Sequence, residues 1–345
     1  MSDFKPNHLQ RFTEKDIEQI LKDNLYPKFG ERFNKYRDNY LKYLKSEKTN
    51  FVTDYPLMVI MELVNRCNLE CTMCPQEYRN DIDLVRWDDQ SLDKMFEQFK
   101  ANNLESISFS VSEPLLFKNF FEVIKRCHEA NIMDIFLFTN GTLLNESTAK
   151  KILESGITRL FISLDAATEA SYDKIRIPVG KSQLKKARLN MLEKQIKNFI
   201  HLRDNVYKQQ LPIVRTSFVK MESNEEEVEE FIKKWTGIVD AIEIQDEFPI
   251  STYEKVNALI KSDQPIKYEL EEYSCNEPWG QITIYSNGDV TPCCNLLGKK
   301  TAIGNVFKDP LKEIWLGEKA KELRDGFVKN KPNKVCKVCS EVYTH

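Results

Sequence analysis

The chain has 345 residues, 41% hydrophobic and 30% charged, with 50 Lys plus Arg against 53 Asp plus Glu and a net charge of −3. That composition supports a large core with a second, smaller unit and excludes a disordered chain. Balanced charge with no basic run argues against nucleic acid or an anionic membrane as partner, and no apolar stretch is long enough for a membrane span. Residues 1–10 lack the apolar centre of a signal peptide, so the chain reads as cytoplasmic. In that compartment its nine cysteines are metal ligands sooner than disulfides. Residues 1–55 read as an N-terminal helical extension, with amphipathic segments starting at 13–16 and spanning 33–44. From residue 57, strand-like runs at 57–64, 106–110, 134–138, 159–164, 213–219 and 241–244 alternate with helical patterns. Those helices lie at 91–102, 117–129, 145–155, 184–207 and 224–235. The alternation predicts an α/β fold over 56–250, with a parallel sheet and ligands at the carboxyl ends of its strands. Residues 251–345 read as a connector and a cysteine-rich tail.

Cys67, Cys71 and Cys74 follow the first strand in a C-x3-C-x2-C loop, and the intervening Asn68, Glu70 and Thr72 are polar. Soft thiolates select iron–sulfur clusters or zinc, and structural zinc requires a closed fourth position. Three thiolates hold three irons of a cubane and leave the fourth open to chemistry. The loop resembles that of the radical SAM enzymes, and the resemblance runs from about residue 57 to the end. It implies a partial (β/α)6 barrel and a [4Fe–4S] cluster whose open iron chelates S-adenosylmethionine. It further implies reductive cleavage to methionine and a 5′-deoxyadenosyl radical, which abstracts a hydrogen atom from substrate.

The same resemblance assigns the cofactor contacts. Met73 stands where the family usually has an aromatic residue near the adenine. Val111-Ser112-Glu113-Pro114 stands where the family has Gly-Gly-Glu-Pro, so Ser112 and Glu113 would meet the amino group, although both glycines are replaced. Thr139 and Asn140 belong to a turn that looks like the family's Thr-Asn-Gly. Ser163 and Asp165 match a Ser-x-Asp strand, with Ser163 on ribose or carboxylate, and Arg176 would take the methionyl carboxylate.

In the tail, Asn287-Gly288 predicts a hairpin that brings Cys293 back towards Cys275, and Cys336 and Cys339 form a C-x2-C pair. Four thiolates saturate a site, for zinc or for a cluster. The pattern C-x12-G-x4-C, then C-x2-C, resembles the SPASM/twitch extension of radical SAM enzymes. It implies one auxiliary [4Fe–4S] cluster on Cys275, Cys293, Cys336 and Cys339, closest to the twitch type because no further cysteines follow. Cys294 is left over, either for packing or as a hydrogen-atom donor, and Cys127 stands alone in a helical pattern.

By analogy with such enzymes, the expected activity is that of an oxidoreductase acting on a small polar substrate, a sugar or cyclitol alcohol, with an electron donor such as flavodoxin or ferredoxin. Arg215 and Asp246, with Ser217, Gln245 and Glu247, are the strand-end candidates to hold substrate or take its proton. The alternatives are a radical epimerase using Cys294, a peptide-modifying SPASM enzyme, and a non-enzymatic metal-binding or electron-transfer module. The first 55 residues are too short and too helical for a winged-helix leader-peptide domain, which favours the small substrate.

Overall fold

A computed structural model describes residues 9–10, 14–45, 52–74, 87–180, 189–261, 270–294 and 301–343. A two-residue strand, β1 (Leu9–Gln10), precedes helices α1 (Glu14–Phe29) and α2 (Glu31–Lys45). Strand β2 (Met58–Met61) leads into the cysteine loop, which carries β3 (Leu69–Cys71). Next come α3 (Asp89–Ala101), β4 (Ser106–Phe109), α4 (Phe120–Glu129), β5 (Asp134–Thr139), α5 (Glu146–Glu154) and β6 (Arg159–Ser163). They are followed by α6 (Glu169–Ile175), β7 (Arg176–Pro178), α7 (Leu189–His201), β8 (Ile213–Lys220), α8 (Val228–Trp235) and β9 (Ala241–Asp246). The tail adds α9 (Ile250–Lys261), α10 (Glu277–Gly280), β10 (Gln281–Ile284), β11 (Asp289–Thr291), β12 (Gly304–Asn305), α11 (Leu311–Leu316), α12 (Glu318–Val328) and α13 (Lys334–Tyr343).

The strands β2-β4-β5-β6-β8-β9 pair in parallel in that order, the arrangement of a partial (β/α)6 barrel. Strand periodicity sorts their side chains onto two faces. Val59, Met61, Ile107, Phe109, Ile135, Leu137, Leu160, Ile162 and Val214 lie in one buried core with Phe99, Val123, Ile152, Phe199 and Phe231 of the helices. Each contributes about 1.5–3 kcal/mol by leaving water. Cys127 is buried there too, in α4, as packing. The alternate positions, among them Phe136, Phe138, Arg159, Phe161, Ser163, Arg215, Ser217 and Glu243, share the opposite face. The helices start where side chains can cap them. Ser91 N donates to Asp88 Oδ1 (2.7 Å) at α3, and Thr148 N donates to Asn145 Oδ1 (3.0 Å) at α5, each cap contributing about 1 kcal/mol.

The N-terminal helices pack at the amino ends of the strands. Met133, just before β5, packs with Leu21, Leu25, Phe33 and Tyr36. Tyr36 Oη donates to Asp134 Oδ2 at 3.1 Å, and Arg32 donates to the carbonyls of Leu104 (3.1 Å) and Asn131 (2.8 Å). That end of the barrel is covered, and the carboxyl ends of the strands face the other way. No helix among the described residues is long and apolar enough to cross a membrane.

Three features depart from the sequence-based expectation. The helix expected over 184–207 is described only from Leu189 and loosens into a π-type turn over Leu202–Tyr207, while residues 181–188 lie outside the described residues. The pairings of β1 with β9 and of β3 with β7 were not expected, because strands of two or three residues carry no periodic signal. Nor does the sheet break at residue 250. Strand β10 lies parallel to β2, from Gln281 opposite Met58 to Ile284 opposite Met61, and β11 and β12 continue one ten-stranded sheet. The expected hairpin forms, and only glycine suits its turn. Gly288 has φ +83°, and a Cβ there would stand 2.4 Å from the Phe307 ring.

Glu62 joins the tail to the barrel. It follows β2, is fully buried, and accepts from Ser286 N and Ser286 Oγ, both at 3.0 Å, and from Ser112 Oγ at 3.2 Å. Its own N–H donates to Ile284 O at 2.9 Å. Glu62→Ala would strand these buried donors and is expected to cost about 2–4 kcal/mol in urea denaturation, with Glu62→Gln recovering roughly half. A loss below about 0.5 kcal/mol, the range of an ordinary surface change, would show that the carboxylate does not join the two parts.

Candidate functional site

The cysteine loop is held as a strand. Leu69 pairs with Pro178 and Cys71 with Arg176, while Thr72 N donates to Ile175 O (3.1 Å) and Val179 N to Asn68 O (3.0 Å). Cys67, Cys71 and Cys74 are half-buried thiols. Two N–H donors face their sulfurs: Asn140 Nδ2 at 3.7 Å from Cys67 Sγ, and Arg176 Nη1 at 3.4 Å from Cys71 Sγ. Burial pushes the Cys71 thiol up, and the Arg176 charge pulls it the other way. Three soft donors backed by amide and guanidinium groups fit a cluster with one free corner.

Beside this loop stands the turn after β4. Val111 has φ +79°, the left-handed conformation natural to glycine and strained for a β-branched residue. The shape of a glycine turn is therefore kept without the glycine. Ser112 faces Glu62, and Met73 sits half-buried in the cysteine loop. Glu113 is buried and accepts from Thr139 Oγ1 (2.9 Å), Asn140 N (2.8 Å) and Leu115 N (3.2 Å). Burial pushes its carboxyl up to about 7. Asn140 Nδ2 also donates to Asn68 Oδ1 at 2.8 Å, so the Thr139–Asn140 turn ties Glu113 to the cysteine loop. Gly141 completes that turn at φ +75°, and a Cβ there would press on Ile162 at 3.1 Å. Arg176 forms a buried ion pair with Asp165, whose other oxygen accepts from Val219 N at 2.8 Å.

Glu113, Thr139, Asn140, Asp165 and Arg176 thus converge with Cys67 and Cys71. Ser163 ends β6, opposite Ser217 of β8, on the barrel's inner face. Arg215 shares that face, stacked 3.6 Å from the Phe161 ring centre and paired with Glu243 at 2.8 Å. Asp246 does not join them, which corrects its expectation as a base. It lies on the outer parity of β9, 66% exposed, and pairs with Lys220 at 2.8 Å.

The tail forms a second site. The hairpin returns Cys293, α13 presents Cys336 and Cys339 one turn apart, and Cys275 precedes α10. With Cys294 they line a cavity of about 480 Å³ that also touches Tyr43, Glu277, Pro278 and Phe327. Five cysteines, not four, therefore line the cavity. Burial pushes the thiols of Cys336 and Cys339 up to about 12, so binding a metal group there must release protons. Among the described residues no three Cys, His, Asp or Glu side chains gather closely enough to hold a single metal ion. Sulfurs spread around a cavity suit a cubane better than zinc, whose bonds to sulfur are about 2.3 Å. Sequence reasoning missed Glu62, Asn68 and Tyr43. Only Asn68, inside the cysteine loop, stood where a motif could have flagged it.

Both regions of the chain match known families. The family model described as the Radical SAM superfamily matches residues 61–234, half of the chain, and the SPASM model, an iron–sulfur cluster-binding domain, matches 275–340. A probable GTP 3′,8-cyclase of Methanococcus maripaludis is 31% identical over 36% of this chain and 42% of its own length, so this chain spans less than half of that relative. The PqqA peptide cyclase of Gluconobacter oxydans is 22% identical over 75% of this chain and 76% of its own. Streptococcus suis SuiB, solved with its precursor peptide SuiA, superposes with a TM-score of 0.55 at 17% identity, over 84% of this chain and 69% of SuiB, a likeness of fold. With the first model spanning half of the chain and the second following it, the chain belongs to the Radical SAM superfamily and carries a SPASM domain.

Proposed function

We propose that this protein cleaves S-adenosylmethionine reductively and oxidises a polar substrate held at the carboxyl ends of the barrel strands. The observation that carries this reading is the convergence of Glu113, Asn140 and Arg176 on the three-cysteine loop. When bound, the first cluster supplies the electron that splits the sulfonium, and the second supplies a redox partner for the oxidised substrate. Cys67, Cys71 and Cys74 hold the former, and Cys275, Cys293, Cys336 and Cys339 the latter. Glu113 receives the amino group, Arg176 the carboxylate with Asp165 orienting it, Ser163 the ribose, and Met73 packs near the adenine. Thr139 and Asn140 fix Glu113, and Ser112 holds its turn to Glu62.

A peptide side chain is the substrate class we favour. PqqA peptide cyclase, a peptide modifier by name, is matched over three quarters of this chain. The N-terminal helices pack at the opposite end of the barrel and leave the strand ends to substrate. A sugar or cyclitol alcohol is the second reading, favoured by hydroxyl-binding groups on the inner face: Ser163, Ser217 and the Arg215–Glu243 pair. Cys294, among the tail sulfurs, would serve the epimerase variant of either.

Anaerobically reconstituted protein given dithionite and S-adenosylmethionine is expected to form 5′-deoxyadenosine, and Cys67→Ala to form none above background by liquid chromatography. Undiminished production by the variant would remove the site assignment. A pH dependence follows from Glu113, which burial holds up to about 7 against an ordinary 4.5. In the ligand-free fold its stabilising contribution is fully present below pH 4.5 and is lost as pH rises through 7. Amino-group donors favour the ionised carboxylate. Affinity for S-adenosylmethionine should therefore strengthen from pH 6 to 7, by up to about tenfold, and flatten above. Calorimetry with Glu113→Gln should lose this slope, and a flat wild-type profile would take Glu113 out of the contact.

A further inference from the structure

One wall of the tail cavity comes from the far end of the sequence. Tyr43 and Leu44, at the end of α2, line it beside Cys275, Cys293, Cys336 and Cys339. The Tyr43 ring is buried and lies so close to Gly280 that a Cβ there would come within 2.3 Å of it. No positive φ demands glycine at that position, so the ring's approach is what excludes a side chain. Tyr43 Oη donates to Glu277 Oε1 at 3.3 Å, and Asn276 Nδ2 donates to the Leu44 carbonyl at 3.4 Å. Three contacts from one helix end thus fall on the short segment after Cys275. The same helix is fastened to the barrel by Tyr36 on Asp134 and to α1 by the Arg37–Glu18 pair.

We propose that the end of α2 is part of the auxiliary centre: Tyr43 closes the cysteine cavity against solvent and, through Glu277 and Gly280, fixes the turn that presents Cys275. This rests on the reading that the tail cysteines hold a [4Fe–4S] cluster and adds that the N-terminal extension completes that site. Tyr43 is a positioning residue, since it acts on the turn beside a ligand. Groups just outside a metal's ligands control its exposure and retention, typically by about 10–100-fold when removed.

The full chain carrying Cys67→Ala, Cys71→Ala and Cys74→Ala isolates the tail site. After anaerobic loading with iron and sulfide, iron per chain and the rate of iron release to a ferrous chelator are read, with circular dichroism reporting the fold. Adding Tyr43→Ala is expected to speed release roughly tenfold, Tyr43→Phe to give an intermediate rate, and Tyr36→Phe, which loosens the same helix at Asp134, to leave it unchanged. If Tyr43→Ala does not fold, the intermediate rate of Tyr43→Phe carries the test. Release at the parent rate from both Tyr43 variants, or equal acceleration by Tyr36→Phe, overturns the proposal. A parent protein that takes up no iron overturns instead the reading of the tail site on which it rests.

Discussion

Strand β2 has parallel partners on both edges, β4 on one and the tail strand β10 on the other. At its carboxyl end the buried Glu62 binds the turn after β4 through Ser112 and the tail hairpin through Ser286. Five residues later the cysteine loop begins. A buried carboxylate is tolerated only where donors surround it, so this junction admits few alternatives. It sets the distance between the cysteine loop and the tail, and with it the relation of the two clusters.

Buried charge recurs throughout the barrel. Asp134 pairs with Arg159, Arg176 with Asp165, Arg203 with Asp240, and Arg215 with Glu243. Such pairs repay little of their desolvation cost. Their placement is the more telling quantity. Asp134 anchors the N-terminal helices through Tyr36, Asp165 aims Arg176 at Cys71, and Arg215 with Glu243 leaves the inner face polar between the rings of Phe138 and Phe161. The outer face of the same strands is wholly apolar at Ile135, Leu137, Leu160 and Ile162. The barrel is thereby given a greasy exterior under its helices and an interior able to bind polar ligands.

Glycine and its substitutes mark the tight points of the site. Gly141 and Gly288 hold turns that no larger residue fits without strain, while Val111 holds such a turn despite its side chain. Strain of this kind persists where surrounding bonds over-determine the backbone, and both neighbours of the turn are so tied, Ser112 to Glu62 and Glu113 to Thr139 and Asn140.

Local chemistry was legible in the amino-acid order. Three cysteines within eight residues, the Asn-Gly hairpin and the six alternations of strand and helix each declare themselves within a short window, because spacing and periodicity are properties of a segment. Asp246 shows the limit: a carboxylate at a strand end was visible, but the parity that turns it towards Lys220 was not. Tyr43 and Gly280, more than two hundred residues apart, carry no mark of their contact, and neither does Glu62 of its bond to Ser286. Which metal-binding segments exist was therefore written in the sequence alone. How they face one another, and what encloses them, was decided by the pairing of β10 with β2 and the packing of α2, since long-range contacts depend on backbone paths that no local pattern encodes.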